Sequence, residues 1–218
     1  MRLSLRLQEI LNIIQPVEVL ADIGSDHGKL IAAAFKAGKC QRAIVTDINP
    51  KPLLRAQETL LKAGYASKTQ FYESDGMRQV AKNANAWIIA GMGAMLIQKI
   101  ISDSMDKAKQ VEQLIVCPHH QPELLRQYMA ERGFELLEET LVLDGHYYWI
   151  LKYKYNGHKK TLSLKEQYFG NLENPLVHQY VLEQYKKHSP YQALNEKSKT
   201  IIETITREFS QVLLQEAE

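Results

Sequence analysis

The stretch Val17-Glu18-Val19-Leu20-Ala21-Asp22-Ile23-Gly24-Ser25-Asp26-His27-Gly28 decides the fold of this chain. Its apolar first half reads as a short buried strand, and the glycines that follow mark an abrupt turn. Upstream, Leu3, Leu7, Ile10, Leu11 and Ile14 recur at helical spacing with one apolar face, and Pro16 closes that helix because proline disfavours helix in the residue before it. Downstream, residues 30–37 read as a second helix, stopped by Gly38.

The same strand–turn–helix alternation repeats. Residues 43–48 read as a strand and 50–63 as a helix ended by Gly64; residues 69–73 are a strand followed by an Asp75-Gly76 turn. Residues 86–90 form a very apolar strand before a helix over 94–102, and residues 114–117 a strand broken by Pro118 before a helix over 122–132. Strands alternating with helices of this length predict a parallel, doubly wound α/β sheet. Residues 135–143 and 147–155, separated by Asp144-Gly145-His146, predict a terminal β-hairpin where a plain dinucleotide-binding sheet would carry another crossover helix. We therefore expect a Rossmann-like sheet domain over residues 1–156 and a small helical domain over 157–218. Within the latter, Ile201, Ile205, Phe209 and Val212 step at three and four residues, as in a helical hairpin or short coiled coil.

Composition narrows the function classes. The 218 residues carry 27 Lys and Arg against 25 Asp and Glu, so a polyanionic partner has to be met by local patches and not by a global excess. The densest basic–aromatic segment is Lys152, Tyr153, Lys154, Tyr155, His158, Lys159 and Lys160. Cys40 and Cys117 lack the spacing of a disulfide framework or a zinc site, which predicts reduced thiols and no metal. No apolar run reaches membrane-spanning length and the N-terminus lacks a signal-peptide core, which predicts a soluble, cytoplasmic protein with no membrane partner. Nothing in the sequence specifies an oligomeric state.

The candidate ligand site lies at the carboxyl ends of the strands. Gly24 and Ser25 let the backbone approach a ligand closely, but the loop is not GxGxxG, since Gly24 and Gly28 stand four apart. Asp22 and Asp26 sit badly against a pyrophosphate and well against an ammonium or sulfonium, which favours S-adenosyl-L-methionine over NAD and speaks against an oxidoreductase. Asp47, 25 residues beyond Asp22, is placed to accept from both hydroxyls of an adenosine ribose, with Ile48 against the adenine. Asp75, with Gly76, is placed to accept from the exocyclic amine of that adenine. Ala90, Gly91 and Gly93 end the fourth strand beside the switch point and leave room for a flat acceptor. Each feature also has a purely structural reading: a capping aspartate, a turn, or close helix–strand packing.

Leu3-Ser4-Leu5-Arg6-Leu7, Ala21-Asp22-Ile23-Gly24-Ser25-Asp26-His27, Ala90-Gly91-Met92-Gly93 and the helical tail together resemble one family closely. It is the bacterial tRNA (adenine-N(1))-methyltransferase family, TrmK, acting at position 22 of the D arm. The resemblance covers essentially the whole chain. It implies a class I methyltransferase fold, S-adenosyl-L-methionine as cofactor, tRNA as partner, and methylation of an adenine ring nitrogen. On that reading Asp26 stabilises the cationic product ring, and His27 or His119 orients the base. The chain departs from the family where D-H-A-Y-L-P becomes Asp26-His27-Gly28-Lys29-Leu30-Ile31, and where Q-P-N becomes Cys117-Pro118-His119. A small-molecule methyltransferase and a non-catalytic RNA-binding module are the rival readings.

Overall fold

The computed structural model describes residues 2–25, 27–80 and 84–216, with Glu216 described by its backbone alone. Two compact units emerge, Met1–Lys160 and Thr161–Glu218. Residues 156–160 stay with the first unit, because Asn156 and Gly157 donate their N–H groups to the Gly133 carbonyl and Lys160 donates to that of Ala130.

The first unit is built on seven strands: β1 (Val17–Ile23), β2 (Cys40–Asp47), β3 (Thr69–Glu73), β4 (Ala86–Met92), β5 (Gln113–Pro118), β6 (Phe134–Asp144) and β7 (His146–Tyr155). They are ordered β3-β2-β1-β4-β5-β7-β6. β1 to β5 pair in parallel, and β7 runs antiparallel between β5 and β6. This is the Rossmann-like class I methyltransferase sheet with its terminal hairpin. The order reverses between β1 and β4, which opens a crevice at their carboxyl ends. Register aligns the strand ends in one row: Ile23 pairs with Thr46 on one side and Ile89 on the other, and Ile89 pairs with Val116.

Both faces of the sheet are covered. The helices α1 (Leu5–Ile13), α2 (Lys29–Lys36) and α3 (Pro50–Lys62) pack one after another, and the core beneath them takes Leu20, Ala43, Val45, Ala86, Ile88 and Ile115. The alternate residues Ile23, Ile44, Trp87, Ile89, Leu114 and Val116 are also buried, as side chains pointing to the other face must be. There α4 (Ala94–Asp103) packs on α6 (Pro122–Glu131), with α5 (Met105–Ala108) a short extra turn. Local chemistry sets the helix starts: Ser4 Oγ accepts the Leu7 N–H, and prolines stand in the first turns of α3 and α6, where no N–H is missed.

The second unit comprises α7 (Leu164–Phe169), α8 (Pro175–His188), α9 (Glu196–Glu208) and α10 (Ser210–Glu216). Ser163 and Glu166 form a capping box at α7, while Asn174 and Asn195 cap α8 and α9. α9 packs against the other three helices, so the arrangement is a four-helix cluster and not a two-helix hairpin. Its centre is aromatic: Phe169 meets Phe209 edge-on at 5.2 Å, beside buried Val177, Val181, Ile201 and Ile205. Phe209 leaves helical geometry and splits α9 from α10.

The terminal hairpin departs from its sequence reading in one respect. Lys152 is not part of an exposed basic strip; it is only 6% exposed, and its ammonium donates to the Ile13 carbonyl and to Glu138. Tyr153 is buried too, because β7 is an interior strand with a covered face on each side. Lys154, His158, Lys159 and Lys160 remain exposed. On the opposite face of the hairpin, Arg126 from α6 is 1% exposed, lies 4.2 Å from the Trp149 ring centroid and donates to Glu139 Oε2 at 2.9 Å. Removing one member of such a pair leaves an uncompensated buried charge, whereas replacing both does not. Glu139→Ala is therefore expected to lower the unfolding free energy by about 3–5 kcal/mol in urea titrations. The double variant Arg126→Met, Glu139→Leu should recover most of that loss.

Candidate functional site

The crevice at the β1/β4 reversal is a cleft of about 330 Å³. β1 contributes Asp22 and its loop contributes Gly24, Ser25 and His27; β4 contributes Ala90 and Gly91. With His119, seven of the candidate residues named from the sequence thus meet in one cavity. Arg6, Leu7, Gly28, Lys29 and Leu30 complete the lining.

The loop is fixed by backbone bonding across the sheet. The Gly24 and Ser25 N–H groups both donate to the Thr46 carbonyl, at 2.7 and 3.2 Å, tying the end of β1 to the end of β2. Ser25 Oγ accepts the Gly28 N–H at 3.3 Å and so turns the chain into α2. Gly24 adopts φ +77°, and a Cβ there would collide with the Met92 side chain. Gly91 sits at a bulge: Ala90 pairs with Cys117 and Met92 with Pro118, and Gly91 absorbs the register shift at φ +83°. Both glycines keep bulk away from the cleft floor.

Asp22 is the dominant electrostatic feature. It is 8% exposed, and burial pushes its carboxyl up from 3.8 to about 6, against a hydrogen bond from Ser25 that lowers it; the neighbouring Asp47 raises it further. Holding this carboxylate charged at neutral pH costs about 3 kcal/mol in the free protein. A buried anion of this kind at a cavity wall calls for a cation.

Asp47 and Asp75 lie along the same edge, outside the lining of that cleft. Asp47 Oδ1 accepts the Asn49 N–H at 2.7 Å, closing the turn into α3, and Ile48 beside it is 61% exposed. Asp75 Oδ2 accepts from Lys99 at 2.9 Å, and Lys99 also reaches Asp103 at 2.8 Å. Gly76 is buried against Ile100. Asp26 lies outside the described residues.

On the opposite wall stands His119, a candidate from the sequence, with a partner that the sequence did not reveal. Arg6 Nη1 donates to His119 Nε2 at 2.7 Å, its guanidinium lies 4.8 Å from the Tyr148 ring centroid, and the rings of His119 and Tyr148 meet edge-on at 5.7 Å. The Arg6 backbone N–H donates to Asp144 at 3.2 Å, anchoring α1 to the hairpin. Burial lowers the His119 pKa, and the positive charge of Arg6 and the adjoining His120 lower it further. A helix register with Arg6 on its polar side was the available signal, but nothing local announces a partner 113 residues away. Among the described residues no cluster of three metal-ligating side chains occurs, and no helix is long and apolar enough to cross a membrane.

Comparison with known proteins agrees with this geometry. The tRNA (adenine(22)-N(1))-methyltransferase of Bacillus subtilis is 34% identical over 153 residues, an alignment covering 69% of this chain and 64% of that protein. The chain thus spans just under two thirds of the curated relative's length in that alignment. A solved structure of the B. subtilis tRNA methyltransferase TrmK matches with a TM-score of 0.79 at 25% identity, over 97% of each chain. The structure of M. capricolum TrmK with S-adenosyl-homocysteine matches at 0.80 and 23% identity, over 99% of this chain and 98% of that one. The methyltransferase domain profile matches residues 3–151, from α1 into β7. This chain belongs to the methyltransferase domain family.

Proposed function

We propose that the protein transfers a methyl group from S-adenosyl-L-methionine to the N1 ring nitrogen of an adenine in tRNA, at position 22 of the D arm, in the cytoplasm. The observation that carries the cofactor assignment is the Asp22 carboxylate, raised to about 6 chiefly by burial, on the wall of the β1/β4 cleft. The nucleic-acid assignment rests on the relative that methylates adenine 22 of tRNA.

The residues present suit the cofactor. Asp22 faces the cleft with a charge that an ammonium or sulfonium neutralises, and Gly24, Ser25, Ala90 and Gly91 leave its floor free of bulky side chains. On this reading Asp47 accepts from the ribose hydroxyls and the adenine lies against Ile48, whose side chain is exposed. Asp75 and Gly76, one strand further along, form the adenine end. When bound, the cofactor supplies an electrophilic methyl group on a positively charged sulfur.

The protein's share of the chemistry is mainly positioning. The N1 lone pair of adenine is free at neutral pH, so no strong general base is needed, and bringing the two reactants together in line supplies much of the acceleration. Methylation leaves the ring cationic; Asp26 is the carboxylate assigned to that charge, and His27, its neighbour in the sequence, lines the cleft. The target base has to leave its stack to reach the cleft. Exposed Lys154, His158, Lys159 and Lys160 supply the phosphate contacts in the first unit.

Incubating the protein with tRNA and methyl-labelled S-adenosylmethionine should yield labelled 1-methyladenosine on nucleoside analysis. Cofactor binding without label in tRNA would overturn the substrate assignment. Asp22→Asn should raise the melting temperature of the free protein above pH 6 while weakening cofactor binding at least tenfold. The sign follows from the raised pKa: the cost of the buried charge is absent below about 3.8, where folded and unfolded forms are both protonated, and complete above about 6. The stabilisation should therefore fade as the pH is lowered to 4. Neutralising Lys159 and Lys160 together should weaken tRNA binding and flatten its salt dependence by about two units of log–log slope.

A further inference from the structure

The wall formed by Arg6, His119 and Tyr148 is absorbed by no step above. An arginine guanidinium can only donate hydrogen bonds. Its 2.7 Å contact with Nε2 of His119 therefore requires that nitrogen to be the acceptor, with its lone pair facing Arg6. A neutral imidazole whose Nε2 is bare carries its proton on Nδ1. Arg6 is held in this position from two sides: its backbone is tied to Asp144 at the hairpin turn, and its guanidinium lies over the Tyr148 ring. Among the described residues no carboxylate pairs with that guanidinium, and none accepts from His119 Nδ1.

Resting on the methyltransferase reading, we propose that Arg6 is a positioning residue: it locks His119 as the neutral Nδ1–H tautomer, so that His119 offers the target base a hydrogen-bond donor. Since Nε2 is occupied, the ring recognises an acceptor on the base edge and not an amine. For an adenine that presents N1 to the methyl group, the remaining ring acceptors are N7 and N3. The lock also keeps the wall neutral on the histidine side. Taking a second proton would place an imidazolium against the Arg6 guanidinium and beside a base that becomes cationic during methyl transfer, which opposes the reaction.

The groups facing His119 are Arg6 from α1, His120 on its own loop, Tyr148 from β7 with Asp144 at the hairpin, and Asp22, His27 and Lys29 across the cleft. Of these, Arg6 alone contacts Nε2 among the described residues. The sign of the pH effect follows: activity is present with neutral His119 and is lost as pH falls through its pKa. Removing the Arg6 charge raises that pKa and moves the acid limb to higher pH.

The test is nitrogen-15 NMR of the free full-length protein with labelled histidine, comparing wild type, Arg6→Met and Arg6→Lys. Wild-type His119 should show the Nδ1–H tautomer; in Arg6→Met the preference should be lost and the pKa should rise, and Arg6→Lys should restore both in part. At saturating cofactor, which holds Asp22 ionised, the acid limb of kcat for tRNA should shift upward in Arg6→Met, with kcat/KM reduced about tenfold. Target adenosines lacking N7 or N3 should be methylated more slowly by wild type, and the one that matters should make no difference to His119→Ala. An Nε2–H tautomer in the wild type, or a His119 titration indifferent to Arg6→Met, would overturn the proposal. Because the NMR needs neither cofactor nor tRNA, a confirmed lock with no methyl transfer would instead count against the methyltransferase reading.

Discussion

A carboxylate buried at the tip of a central strand, with no ion-pair partner among the described residues, is the constraint on which the rest of this structure turns. Asp22 sits there because β1 is flanked on both sides by parallel strands and ends where the order reverses, so its last side chains are covered by neighbours instead of by water. The fold tolerates the expense because the loop that follows is stitched to Thr46 by two backbone bonds that do not involve the Asp22 side chain, while the Ser25 hydroxyl accepts the Gly28 N–H at the start of α2. The site thus holds an unmet electrostatic demand inside a rigid frame. Binding a cationic group satisfies the demand without rearranging the frame, which is the economy of a preorganised site.

The terminal hairpin has a second role beyond closing the sheet. By inserting β7 antiparallel between β5 and β6, it brings Tyr148 and Asp144 next to α1, the first helix of the chain. The cleft is therefore bounded on one side by the glycine-bearing loop after β1 and on the other by residues drawn from both ends of the first unit. Arg126, Trp149 and Glu139 brace the hairpin from beneath, and Lys152 ties it to the end of α1 through Ile13. Stability of the sheet edge and geometry of the cleft wall are in this way supplied by the same two strands.

Much of this was legible in the sequence where a signal was local. The apolar runs of β1, β4 and β5 stood out because buried parallel strands carry no alternation, and the Asp144-Gly145-His146 turn announced the hairpin that fixes the sheet order. Asp22, Gly24, Ser25, His27, Ala90 and Gly91 fell into one cleft because residues at the carboxyl ends of adjacent parallel strands must converge. What was not legible depends on distant partners. Arg6 and His119 each stood in a stretch that the sequence singled out, but nothing local announced that residues 113 apart in the chain would pair. Lys152 looked like a solvated charge, yet an interior strand gave it a backbone carbonyl and a glutamate instead of water. In the second unit the three- and four-residue apolar steps were real, but Phe169 from an earlier helix, invisible to that periodicity, makes the cluster four-membered.

The central claim, that Asp22 is charged only at a cost until a cationic cofactor arrives, is tested most directly by calorimetric titration of S-adenosylmethionine near pH 6 in buffers of different ionisation enthalpy. A carboxyl near its own midpoint in the free protein must lose its remaining proton on meeting a cation, so binding should release about half a proton per site at pH 6. That release should vanish in Asp22→Asn. Binding with no proton exchange in the wild type, or the same release in the variant, would contradict the account.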